Sequence, residues 1–111
     1  DAVQAADTAI KMIEFILEAY EQEDSIEKAN AIPRYVAQKE EHAKIAKETI
    51  VGIWTDYFKP EHIEKYPELH ELVWKVGKLG SHVKQNVDLE MAKAFKSAIQ
   101  DVERIFWETK K

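Results

Sequence analysis

Residues 92–109 read AKAFKSAIQDVERIFWET, and within them Ala92, Phe95, Ile99, Val102, Phe106 and Thr109 recur at alternating spacings of three and four. Side chains three and four apart share one face of an α-helix, whereas a strand needs alternation by two. The same register stands in three more stretches. Val3, Ala6, Ile10, Ile13, Leu17 and Tyr20 form the first stripe. The second holds Ile32, Val36, Lys39, Ala43, Ala46, Ile50, Ile53 and Tyr57, and the third Leu69, Leu72, Val76, Leu79 and Val83. Four stripes that must be buried in 111 residues predict one all-α domain, residues 1–111, folded as a four-helix up-and-down bundle.

The punctuation between the stripes sets the boundaries. The first helix is expected over about 2–22, with Ala5, Ala9, Met12, Ile16 and Ala19 widening its apolar arc. Asp24 can cap the second helix, and Glu27 three residues on completes a capping box. That helix is expected over about 25–58 with Pro33 inside it. Proline lacks a backbone donor and crowds the preceding turn, so the second helix should be kinked near Pro33, at Ala31–Ile32. Pro60 and Pro67 bracket the longest connection, with one helical turn at 61–66. The third helix is read from Pro67 to about Gln85, and the fourth from after Asp88 to about 109. Short loops require antiparallel neighbours.

Charge and composition exclude several classes of function. The net charge is −5 and the pI about 5.4, with 16 basic residues interleaved among 21 acidic ones. Nucleic-acid binding starts from a basic patch, and none is present. No uncharged run exceeds Thr49–Thr55, far short of the ~20 residues that span a bilayer. Cysteine is absent, which excludes disulfides and thiolate chemistry in these residues and fits a cytoplasmic location. Glu- and Lys-rich usage suits a thermophile and suits helix propensity equally. The chain opens on Asp1 rather than Met, so upstream residues could be absent from it and could hold the function.

No catalytic, metal or nucleotide motif stands in the chain. A helical metal site of the di-iron kind needs a carboxylate one turn from a histidine. His42, His62, His70 and His82 have no Asp or Glu three or four residues away, and no two are four apart. Ser81 and His82 are neighbours pointing about 100° apart, so they form no nucleophile–base pair. Lys39 is a charge in the middle of a seam, expected to reach water near the bundle end or to set register. Its replacement by Leu or Met is expected to leave stability equal or higher.

His70, Trp74, Gly77 and Ser81 make a second stripe on the third helix. Phe15, Phe58 and Trp107 also fall off the seams. Surplus aromatics on a small bundle point to an association surface. The sequence therefore predicts a protein that is not an enzyme and holds no cofactor or metal. It acts through protein–protein contact as a homodimer, with Phe15, Phe58, His70, Trp74 and Trp107 as anchors. The alternative is a ligand- or metal-binding bundle in which Lys39, His42, His70 and Glu14 or Glu18 face an internal cavity.

Overall fold

A computed structural model describes residues 1–111 as helices and short turns, with no strand. In α1 (Ala2–Tyr20) the carboxylate of Asp1 accepts from the Gln4 backbone N–H at 2.8 Å. In α2 (Ile26–Asp56) the capping residue is Ser25, whose hydroxyl accepts from Lys28 N–H at 3.0 Å. The expected Asp24 cap is thus displaced by one residue. Ser25 takes the extended backbone that a cap requires, and Asp24 instead accepts from Lys28 Nζ at 3.0 Å. A short α3 (Pro60–Lys65) occupies the proline-bracketed connection, α4 covers Leu69–Gln85 and α5 covers Leu89–Thr109. Pro67 lies in the turn before α4 rather than in its first turn.

α2 runs as one continuous helix through Pro33. One proline removes one helical donor, the partner of the Ala29 carbonyl. Ala29 and Pro33 are both exposed, so water can take the place of that donor.

The four long helices close a ring. α1 packs on α2 and α5, α4 packs on α5 and α2. Ile13, Ile50, Val76 and Ile99 sit in the middle of it with no exposed surface, as their stripes predict, beside Phe95. The stripe of α1 is rotated from the expected one. Its core row is Ala2, Ala6, Ala9, Ile13 and Ile16, while Leu17 and Tyr20 stand 43% and 64% exposed. Both rows obey the 3–4 spacing. The alanine row is buried because its small side chains let α1 approach two neighbours at once.

α2 has 31 residues and α4 only 17, about 46 Å against about 26 Å. Lys39 reaches the turn after α4, so the part of α2 before it extends past the end of α4. Residues 26–38 and the C-terminal turns of α1 form a two-helix arm that accounts for the elongated 56 × 21 × 20 Å shape. Ile16 and Ala19 are buried within this arm but stand outside the main core cluster. No helix is long and apolar enough to cross a membrane.

Two tests follow from the packing. Truncating Ile13, Ile50, Val76 or Ile99 to Ala should cost ~2–5 kcal/mol in urea unfolding, through lost burial and a residual cavity. The two glycines of α4 should respond in opposite directions. A Cβ on Gly77 would meet nothing within 4 Å, whereas on Gly80 it would lie 3.1 Å from Phe95 Cε1 and 3.2 Å from Lys47 Cβ. Gly77→Ala should therefore raise stability by about 0.5–1 kcal/mol, and Gly80→Ala should lower the melting temperature.

Candidate functional site

Two clusters of polar side chains form in the folded chain, one at each end of the bundle proper. The first is built on the α4–α5 turn. The last carbonyls of a helix have no donor of their own, and they carry its negative dipole end. Lys39 is buried and points its ammonium there, donating to the carbonyls of Lys84 at 3.1 Å and Asn86 at 2.8 Å. Burial holds its pKa below the usual 10.5, partly opposed by the nearby Glu40 carboxylate. Beside it His82 Nε2 lies 3.0 Å from Asp88 Oδ2. Asp88 Oδ1 caps α5 by accepting from Met91 N–H at 3.1 Å. That backbone bond, and then His82, hold the Asp88 carboxyl below the ordinary carboxylate value.

The second cluster lies where α2 ends, α3 crosses and α5 ends. The Tyr57 hydroxyl is 2.7 Å from Thr109 Oγ1, and the Thr109 hydroxyl donates to the Phe106 carbonyl at 2.6 Å. A hydroxyl has one proton, so Tyr57 is the donor to Thr109. The Tyr57 ring stacks on His62, 5.3 Å between centroids and 6° from parallel. Lys110 Nζ sits 4.5 Å over its ring centroid, and Phe106 packs against it edge-on. His62 Nδ1 accepts from Lys59 N–H at 3.0 Å, which leaves any proton of a neutral imidazole on Nε2. A crevice of about 330 Å³ opens beside His62 and Thr109, between Glu61 and Glu108. Phenol, imidazole and ammonium converge here. Tyr57 and Thr109 each close an apolar stripe, and this was the available signal that they meet.

The residues singled out from the sequence are dispersed. Phe58, His70 and Trp107 surround this second cluster, Phe58 and His70 against Trp54 and Trp107 on Phe106. Trp74 stands 59% exposed on α4, and Phe15 packs on Tyr35 in the arm. Lys39 lies at the α4–α5 turn, and His42 faces the start of α1. His70 is at the opposite end, and Glu14 and Glu18 are exposed on the arm. The cavity that would have gathered Lys39, His42, His70 and an arm glutamate is not formed.

Comparison with known proteins bears on function directly. Residues 1–110 match the profile of the nickel-containing superoxide dismutase family. The chain belongs to this family. It is 45% identical over 73 residues to superoxide dismutase [Ni] of Streptomyces coelicolor, and 44% over 73 residues to that of Streptomyces seoulensis. The matched stretch is 66% of this chain and spans little more than half, 56%, of each of these curated relatives. Among solved structures, native nickel superoxide dismutase superposes with a TM-score of 0.84 at 34% identity, covering 99% of this chain and 89% of that one. A variant of nickel superoxide dismutase gives 0.85 at 34% identity, covering 99% and 94%.

This membership corrects the sequence reading in two respects. The expectation of a contact protein of open role, and of no enzyme, is overturned, because the family is one of metal-dependent enzymes. The metal-binding alternative was nearer the mark, although its proposed ligands do not converge. Helical periodicity reports what is buried and carries no information about a metal bound through other residues. Nickel itself does not fit the residues present. There is no cysteine, and no group of three or more His, Asp or Glu is placed to hold an ion.

The Lys39 geometry reverses the expectation for its replacement. Lys39→Met should lower stability by about 1–3 kcal/mol, since two helix-end carbonyls lose their donor. Its folded pKa is depressed, so between that value and 10.5 the unfolded chain binds more protons than the folded one. Stability in that window should rise with pH. Urea midpoints across the alkaline range should show this slope in the wild type and its absence in Lys39→Met.

Proposed function

We propose that this chain is the helical scaffold of a nickel-dependent superoxide dismutase whose metal donors come from outside residues 1–111. The observation that supports this most is the family match over residues 1–110, joined to a fold superposing on native nickel superoxide dismutase. Two further facts favour external donors. No convergent donor set stands in these residues, and the curated relatives extend well beyond the matched stretch. The reaction class is disproportionation of superoxide to dioxygen and hydrogen peroxide, with proton uptake. In this reading the four long helices alternate in direction, as their short loops favour. The chain also self-associates, which is supported by Trp74 and Trp107 standing 59% and 63% exposed.

The test uses the full open reading frame that contains these residues, produced in nickel-supplemented cells, beside the 111-residue chain alone. The full product should carry about one nickel per chain by elemental analysis and should remove superoxide catalytically. The shorter chain should fold and do neither. A full product with neither nickel nor activity would overturn the proposal. Stoichiometric nickel on the shorter chain would overturn the external donors.

A further inference from the structure

We propose that the groove between α2 and α4 is a binding site for a small aromatic carboxylate. The site lies apart from both polar clusters at the bundle ends and is independent of the nickel reading. Val51, Trp54 and Val73 give it apolar surface, and the exposed indole of Trp74 stands beside them. The groove encloses about 330 Å³, inside the span of roughly 300–1,000 Å³ usual for small-ligand sites. Gly77 also lines it, with nothing within 4 Å of where a Cβ would stand. That open space is one helical turn from Trp74, so a flat ring can lie there against the indole.

The polar part of the lining offers donors. A lysine ammonium carries three donors and no acceptor, and an indole N–H only donates. Lys47 Nζ spends one donor on Ser81 Oγ at 2.9 Å, and the Ser81 hydroxyl keeps its own hydrogen to give. Packing holds Lys47 in place, since its Cβ and Cδ lie 3.2 and 3.3 Å from where a Cβ on Gly80 would stand. A cation fixed in this way has little rotamer freedom left to lose on binding. Lys78 Nζ lies 5.6 Å over the Trp74 ring. Neither ammonium is paired with an acid, and no carboxylate lines the groove. After Glu71, α4 carries Lys75, Lys78 and Lys84 and no Asp or Glu, in a chain of net charge −5. This local excess of cationic donors is complementary to a carboxylate, whose oxygens only accept. Lys78 and Ser81 are three apart on one face of α4. A carboxylate between them reaches Lys78 and the Lys47–Ser81 pair, while its ring lies along Trp74 and Gly77. An uncharged ring would cover the ammoniums without pairing them, and an anion without a ring would leave the indoles bare.

The experiment is calorimetric titration of the full product with naphthoate, beside its neutral counterpart naphthalenemethanol. Fluorotryptophan labelling lets the fluorine resonances of Trp54, Trp74 and Trp107 report where the ligand lies. Naphthoate should bind with a Kd of about 1 mM or below, and naphthalenemethanol at least about tenfold more weakly. The Trp54 and Trp74 resonances should shift, and that of Trp107, which packs on Phe106, should not. Lys47→Met with Lys78→Met should weaken naphthoate to the level of the neutral compound. Gly77→Leu should abolish binding of both, because its side chain takes the place of the ring, with helicity retained by circular dichroism. Equal affinity for the two compounds would overturn the carboxylate class. No binding of naphthoate at about 5 mM, or a shift confined to Trp107, would overturn the site. Lysine variants that lower the mass in sedimentation while naphthoate stays unbound would overturn it in favour of a second copy in the groove.

Discussion

The buried ammonium of Lys39 ties α2 to the end of α4, and much of the architecture is referred to that point. Its two acceptors are carbonyls that no helical N–H can reach. A charge in a seam is costly, and here the cost is offset by closing a helix end that would otherwise need water inside the bundle. The contact fixes where along α2 the shorter helices stop. Everything on α2 before Lys39 becomes arm and everything after it becomes bundle. Asp88 and His82 hold the same turn from the other side, since the Asp88 carboxylate both caps α5 and meets the imidazole.

The opposite end is organised by aromatic rings. Tyr57, Phe58, His62 and Phe106 pack edge-to-face or stacked around the ends of α2 and α5. Rings in such arrangements contribute about 0.5–1.5 kcal/mol per pair beyond their burial. Lys110 lies over two of them, so the end of α5 is fastened without a deep core beneath it. The small residues lie between these two ends. Gly80 admits Phe95 and the stem of Lys47 at close range, and the alanines of α1 admit two neighbours.

The helices contribute shape, stability and charged surface, while these residues contribute no metal donor set. Function read from this chain by chemistry alone therefore settled on its surplus aromatics. That reading located real exposed surface but mistook it for the purpose of the protein.

The amino-acid sequence by itself determined the all-helical class, the four apolar stripes and their loops, because a 3–4 spacing has only one regular backbone that buries it. It also determined the absence of a thiolate or an i, i+4 metal pair in these residues. It did not determine which of two equivalent rows on α1 is buried, since Leu17 and Ile16 both satisfy the period and only contact with α2 and α5 separates them. Nor could it show that Pro33 leaves the helix unbroken, which depends on the exposure of Ala29. The partners of Lys39 are 45 and 47 residues away, and those of Tyr57 on α5 are as remote. Such pairings follow from the packing of helices distant in the chain, and local spacing does not encode them.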